Sequence, residues 1–151
     1  MYNKVLVPLD GSTFSELALA NAVTIVSGCQ ATELVLINVI EPYKDLAHWV
    51  SDDVAKRMEL EAKQVAQNYL DRAVERLTNE GLKVEAVVAE GDPAGVILEY
   101  AKKTGVDLIV IATHGRSGFS RFMFGSVASK ITHDSSIPVL IVPPTSLASN
   151  K

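Results

Sequence analysis

Cysteine is nearly absent from this sequence, since Cys29 is the only one among 151 residues. A chain with one cysteine cannot form an intramolecular disulfide, and such a composition suits a reducing compartment. No apolar run approaches the ~18 residues that a membrane-spanning helix needs. The first ten residues also lack the long apolar core of a signal peptide. We therefore expect a cytoplasmic protein with no membrane partner.

Positive charge is also in short supply, because 14 Lys and Arg face 18 Asp and Glu for a net charge of -4. Such a chain does not attract nucleic acid as a whole. His48, His114 and His133 are scattered without the ligand spacing of a zinc site. Neither a P-loop motif nor a G-x-G-x-x-G dinucleotide fingerprint is present. We identify no catalytic residue, and the sequence leaves any metal site unassigned.

Short apolar runs alternate with segments of helical pattern along the whole chain. The alternation predicts parallel strands joined by helices, and fully apolar runs such as "LIVIA" indicate burial on both sheet faces. We therefore predict an α/β fold, a three-layer sandwich with a five-stranded parallel sheet. The predicted strands are 4–9, 33–40, 82–91, 107–113 and 138–143. A single domain is expected over residues 1–144, followed by a flexible tail at 145–151.

Helix signals mark the segments between these strands. Ser12 or Thr13 can cap a first helix, and Asp92 followed by Pro93 is typical of a helix start. The helix that begins there is expected to end at Gly105. Residues 126–134 follow a helical pattern as well. A long helix is predicted over residues 53–80, with one apolar face. That face comprises Met58, Ala62, Val65, Tyr69, Ala73 and Leu77.

The longest irregular stretch, residues 41–51, contains the adjacent His48 and Trp49. This pair could contact a partner or cover a site, and a single exposed aromatic side chain is often incidental. The sequence leaves these alternatives open.

A glycine-rich stretch, "THGRSGFSRFMFGSVASKI", follows the fourth strand. Glycines let the backbone approach an anion closely, and the start of the next helix offers free N–H groups to a phosphate. Arg116 and Arg121 could add charge-assisted hydrogen bonds. Ser126 could cap the helix or bind a phosphate oxygen. A tight loop without any ligand explains the glycines equally well.

These residues resemble the ATP-binding branch of the universal stress protein family, which carries G-x2-G-x9-G-[ST] after its fourth strand. Gly115, Gly125 and Ser126 match this motif, whereas Ala112 stands where the family has its first glycine. If that position required a positive φ angle, alanine would make it costly. Asp10 in "VLVPLDGS" and the strands "LVLINVIEP" and "PVLIVP" extend the resemblance over essentially the whole chain.

The resemblance implies the strand order 3-2-1-4-5 and an ATP site at the carboxyl ends of the strands, with Mg²⁺ accompanying the nucleotide. It implies adenine near Asp10 and Val39, ribose near Ala112 and Gly115, and phosphates over the start of the helix at Ser126. Asp10 could instead serve only as a turn or capping residue. The complete set of implied nucleotide-binding residues is Pro8, Leu9, Asp10, Val39, Ile111, Ala112, Gly115, Arg116, Gly118, Gly125, Ser126, Val127 and Ala128.

Three functions remain compatible with the sequence. The first is a regulatory module of the stress response that binds ATP with little or slow hydrolysis. The second is a slow ATPase or a nucleotide-processing enzyme, and the third is a dimeric scaffold that binds no nucleotide. The resemblance also implies a homodimer formed through the last strand, Val139–Val142. The sequence does not name a protein partner.

Overall fold

The computed structural model describes residues 2–28, 32–42, 49–114 and 125–144. Strands and helices alternate regularly within these ranges. In chain order they are β1 (Lys4–Pro8), α1 (Thr13–Ser27), β2 (Glu33–Ile40), α2 (Asp52–Asn79), β3 (Lys83–Glu90), α3 (Pro93–Thr104), β4 (Leu108–Ala112), α4 (Ser126–Asp134) and β5 (Val139–Val142). The strands form one five-stranded sheet in the order β3-β2-β1-β4-β5, and all paired strands are parallel. The predicted fold class and strand order are confirmed.

The sheet separates two apolar layers, because successive side chains of a strand point to opposite faces. In β1, Val5 and Val7 pack with α1 and α2, whereas Leu6 packs with α3 and α4. All three side chains are fully buried. The sheet therefore lies in the middle of a three-layer sandwich, as its near-continuous apolar strands predict.

Two helices begin and end where short-range signals place them. The side chain of Ser12 accepts a hydrogen bond from the Ser15 N–H at 3.2 Å and so caps α1. Asp92 caps α3 in the same way, with Pro93 as the first helical residue. Gly105 ends α3 in the left-handed conformation at φ 71°. These predictions are confirmed because each depends on neighbouring residues alone.

The predicted apolar face of α2 is wrong at Val65, whose side chain is 68% exposed. The residues of α2 that are buried are Ala66, Leu70, Ala73 and Leu77. Val65 lies one position before Ala66, about 100° away around the helix. All four buried residues belong to the C-terminal half of α2. Its N-terminal half therefore packs much less closely against the rest of the described chain.

Candidate functional site

The crevice expected in an open parallel sheet lies where the strand order reverses. Here β1 pairs with β2 on one side and with β4 on the other. The connection from β1 continues through α1 on one face, whereas β4 leads to α4 on the opposite face. The carboxyl ends of β1 and β4 therefore border the position where the glycine-rich motif predicts a ligand.

The turn after β1 fixes Asp10 at the edge of this crevice. Gly11 has a φ angle of 79°, which favours glycine. The Ser12 N–H donates a hydrogen bond to Oδ1 of Asp10 at 2.9 Å. Asp10 therefore takes part in the turn, and its half-buried position keeps the side chain at the strand end. Leu9 is only 3% exposed, and its N–H donates to the Ile37 carbonyl oxygen at 2.8 Å.

The end of β4 brings Ile111 and Ala112 beneath the same edge. Both side chains are buried, with 6% and 8% exposure. No residue other than glycine has a positive φ angle in the part of the chain that the structure describes. Alanine therefore causes no backbone strain at position 112, and the possible cost of replacing the family's glycine does not arise.

His114 follows β4 and leans toward α1. Its ring centroid lies 5.9 Å from that of Phe14, and the two rings are tilted by 47°. Its Nδ1 atom shares a hydrogen bond with the Thr113 hydroxyl at 2.9 Å. The side chain of Thr113 is almost fully buried, with 8% exposure. His114 therefore contacts α1 through Phe14 and the end of β4 through Thr113.

The chain returns to the end of β4 at Gly125, whose N–H donates to the Thr113 carbonyl oxygen at 2.5 Å. Gly125 is the N-cap residue of α4 and has a φ of -58°, which any residue can adopt. Ser126 is the first helical residue, so the alternative that Ser126 caps α4 is wrong. Gly125 has no side chain that could cap α4. The N-cap residue therefore leaves the first N–H groups of the helix without a side-chain acceptor, and such groups favour an anion.

The remaining predicted residues occupy different depths. Val127 is half-buried and Ala128 is 3% exposed, and both pack into the core beneath α4. They could reach a ligand only through their backbone N–H groups. Pro8 and Val39 are half-buried near the ends of β1 and β2. Gly115, Arg116, Gly118 and Arg121 lie outside the described residues.

An ion pair joins α4 to the start of α3. Lys130 Nζ lies 2.9 Å from Oδ2 of Asp92, the oxygen that also accepts the Gly95 N–H. The Lys130 ammonium and the Gly95 N–H lower the pKa of Asp92 below its ordinary value. The same partnership raises the pKa of Lys130. Sequence reasoning missed this pair because its members are far apart along the chain.

A second group that sequence reasoning missed lies behind Asp10. Ser15 is buried at 5% exposure, and Tyr69 of α2 donates a short hydrogen bond to the Glu16 carboxylate. The spacing of Ser12 and Ser15 offered a local signal for the first contact. Nothing in the sequence pairs Tyr69 with Glu16.

Metal-ligating and membrane-spanning features are both missing from the described ranges. Residues 2–28, 32–42, 49–114 and 125–144 contain no group of three His, Cys, Asp or Glu side chains arranged to hold a metal ion. Across those same ranges, no helix has the length and apolar character needed to cross a membrane.

The sequence and the fold were compared with those of known proteins. The model of the universal stress protein family matches residues 1–143. Universal stress protein YxiE of Bacillus subtilis is 36% identical over 148 residues, which cover 94% of this chain and 99% of that protein. The solved structure of MJ0577, a universal stress protein of Methanocaldococcus jannaschii, superposes with a TM-score of 0.84. It is 27% identical and covers 95% of this chain and 96% of its own.

A more distant structure shares the fold and carries a ligand. It is a universal stress protein family member from Arabidopsis thaliana with AMP bound, at 22% identity and a TM-score of 0.68. The match covers 93% of this chain and 91% of that one. Because the family model spans nearly the whole sequence and YxiE aligns from end to end, this chain belongs to the universal stress protein family.

Proposed function

We propose that this protein is a regulatory module that binds ATP at the carboxyl ends of β1 and β4, with little or slow hydrolysis. The observation that carries this proposal is the start of α4. The helix begins at the predicted phosphate position, directly after Gly125 returns to β4, and this N-cap glycine supplies no capping side chain. Backbone N–H groups and the helix dipole favour a phosphate there.

The rest of the proposed site surrounds that helix start. Asp10 would bind the adenine amine or the ribose hydroxyls, and Val39 would lie beside the base. Gly115, Arg116 and Gly118 remain predicted contacts from the glycine-rich motif. The AMP-bound relative supports an adenine nucleotide as the ligand class. Mg²⁺ would accompany ATP and be held mainly by its phosphates and by water, as this ion commonly is.

Regulation is favoured over efficient catalysis because the residues that the structure describes include no general base beside the proposed phosphate position. In the family arrangement Asp10 would lie at the adenine end, far from the γ-phosphate. A slow ATPase is therefore the second candidate. We propose in addition that the protein acts in the cytoplasm as a homodimer formed through β5.

Ser126→Asp tests the phosphate position without removing a packing group. The serine is exposed at the first position of α4. An aspartate there repels phosphates but favours the helix dipole, by about 0.3–1 kcal/mol. We expect ATP affinity to fall at least about tenfold, or about 1.4 kcal/mol, while the melting temperature stays equal or rises.

Isothermal titration calorimetry with Mg-ATP measures this loss. Ser136→Asp is the matched control, because Ser136 is also exposed but lies beyond the other end of α4. It should bind like the wild type. Mass spectrometry of nucleotide released from the purified protein separates the candidates: ATP favours the module, ADP or AMP favours the ATPase, and no nucleotide favours the scaffold. Unchanged ATP affinity in Ser126→Asp would move the phosphates elsewhere.

A further inference from the structure

Ser15 is a buried hydroxyl group directly behind the proposed adenine end of the site. Its side chain is 5% exposed and donates a hydrogen bond to the Ser12 carbonyl oxygen at 2.9 Å. The Ser15 Oγ atom in turn accepts a longer hydrogen bond from the Asp10 N–H at 3.4 Å. The hydroxyl thus joins the backbone of Asp10 to the capped first turn of α1.

Tyr69 holds that first turn from the other side. The Tyr69 hydroxyl donates a short hydrogen bond to Oε1 of Glu16, and Oε2 of Glu16 lies 3.8 Å from the Arg76 guanidinium. Burial and the neighbouring Glu16 carboxylate raise the pKa of Tyr69, so its hydroxyl keeps its proton. The negative charge of Asp10 acts on the pKa of Tyr69 in the same direction.

Tyr69 itself is well anchored. It is half-buried and packs against the apolar layer that contains its neighbour Leu70, which is fully buried. Because Leu70 belongs to the closely packed half of α2, Tyr69 presents its hydroxyl from a rigid position. A rigid support of this kind is what fixes the geometry of a binding side chain.

We propose that Ser15 and Tyr69 are positioning residues of the nucleotide site, which hold Asp10 in the orientation that recognises the base and ribose. This inference rests on the proposed function. Ser15 acts on the backbone N–H of Asp10, and Tyr69 acts through Glu16 on the turn of α1 that contains Ser15. Neither residue needs to touch the ligand.

Two parts of the proposed site would depend on different residues. The base and ribose would depend on Asp10 and therefore on Ser15 and Tyr69, whereas the phosphates would depend on the start of α4. Removing one neutral hydrogen bond from the support should weaken ATP binding about threefold to tenfold. It should leave binding of inorganic tripolyphosphate, which has neither base nor ribose, within about twofold of wild type.

The experiment measures affinities of ATP, GTP, 2′-deoxy-ATP and tripolyphosphate for Ser15→Ala, Tyr69→Phe and Asp10→Ala by calorimetry. We expect the first two variants to bind ATP more weakly than the wild type does. Their affinity for ATP should also exceed their affinity for GTP or 2′-deoxy-ATP by a smaller factor. The double variant Asp10→Ala/Ser15→Ala should bind ATP no more weakly than Asp10→Ala alone, because residues that act through one another are not additive.

The chain offers a matched control for the serine variant and another for the tyrosine variant. Ser27→Ala removes an exposed serine of α1 whose hydroxyl bonds the Val23 carbonyl oxygen, and Tyr100→Phe removes a half-buried tyrosine hydroxyl of α3. Both should bind all four ligands like the wild type. If Ser15→Ala does not fold, Tyr69→Phe carries the test, because it keeps the packed ring.

The outcomes distinguish this inference from the proposal beneath it. Additive losses of ATP affinity in the double variant, or an equal loss of tripolyphosphate affinity, would overturn the positioning role. Neither result would contradict the proposal that the wild-type protein binds ATP. A wild-type protein that binds no ATP would overturn the proposed function and this inference together.

Discussion

Asp107 accepts two hydrogen bonds from Asn3, one from the backbone N–H at 2.8 Å and one from the side-chain amide at 3.2 Å. A third comes from the Lys4 N–H at 3.0 Å. The carboxylate therefore ties the start of β1 to the residue just before β4, at the end of the sheet opposite the proposed site. Charge-assisted hydrogen bonds of this kind are stronger than neutral ones.

This contact predicts an acid-sensitive contribution to stability. Burial alone would raise the pKa of Asp107, but the hydrogen bonds from Asn3 and Lys4 outweigh it and lower the pKa. A lowered carboxyl pKa stabilises the fold above the unfolded pKa of about 3.9, and that contribution is lost as pH falls through the folded value. We expect Asp107→Asn to lower the free energy of unfolding near neutral pH by about 1–3 kcal/mol.

Urea denaturation between neutral pH and about pH 2 measures the effect. The difference between Asp107→Asn and wild type should shrink toward the acid end of this range. Asp71→Asn on the exposed side of α2 is the control, and it should track the wild type throughout. A gap that stayed constant with pH would assign the loss to side-chain shape rather than to the charge.

Gly91 occupies a position where we expect an added methyl group to be unfavourable. Its φ angle is 141°, and an added Cβ would lie 2.8 Å from Cγ2 of Val96 in α3. We expect Gly91→Ala to destabilise the protein by about 1–3 kcal/mol. Gly28→Ala is the matched control, because Gly28 has a φ of -79° and its nearest contact would be 3.8 Å. Thermal melting of both variants checks the contrast, and equal melting temperatures would contradict it.

The sequence predicted most accurately those features, such as helix starts and ends, that neighbouring residues determine. Asp92 and Pro93 indicate the start of α3, and Gly105 indicates its end, because a helix cap involves only three or four neighbouring residues. Val65 was placed on the wrong face because periodicity cannot tell which of two adjacent stripes meets the sheet. The contact between Tyr69 and Glu16 was out of reach altogether, because their separation along the chain is bridged only by the tertiary fold.

Ala112 shows how a motif match differs from a geometric requirement. The missing glycine suggested a strained backbone, yet residue 112 is a buried strand position with no positive φ. We therefore expect Ala112→Gly to leave ATP affinity unchanged and to lower the free energy of unfolding by roughly 0.5–1 kcal/mol. Calorimetry and denaturation of the same sample separate the two effects. An affinity change above tenfold, or about 1.4 kcal/mol, would show that the methyl group shapes the ribose position.

The last strand predicts the assembly of the protein. Within the described residues β5 pairs only with β4, so its other side is an open sheet edge. Leu140 is 38% exposed on this four-residue strand, and exposed apolar edges favour pairing with another chain. The flanking Pro138 and Pro143 protect the strand ends but do not interrupt Val139–Val142. A two-fold dimer would bring the same edge of both copies together.

Leu140→Lys should therefore weaken the proposed dimer, because a two-fold interface places the new charge near its own symmetry mate. We expect the dissociation constant to rise at least about tenfold, or about 1.4 kcal/mol. Analytical ultracentrifugation at micromolar concentration measures it. Leu60→Lys is the control: it introduces the same charge at a leucine that is 68% exposed on α2, away from β5. A monomeric wild type would refute the dimer, and a dimer that resists Leu140→Lys but responds to Leu60→Lys would transfer the interface to α2.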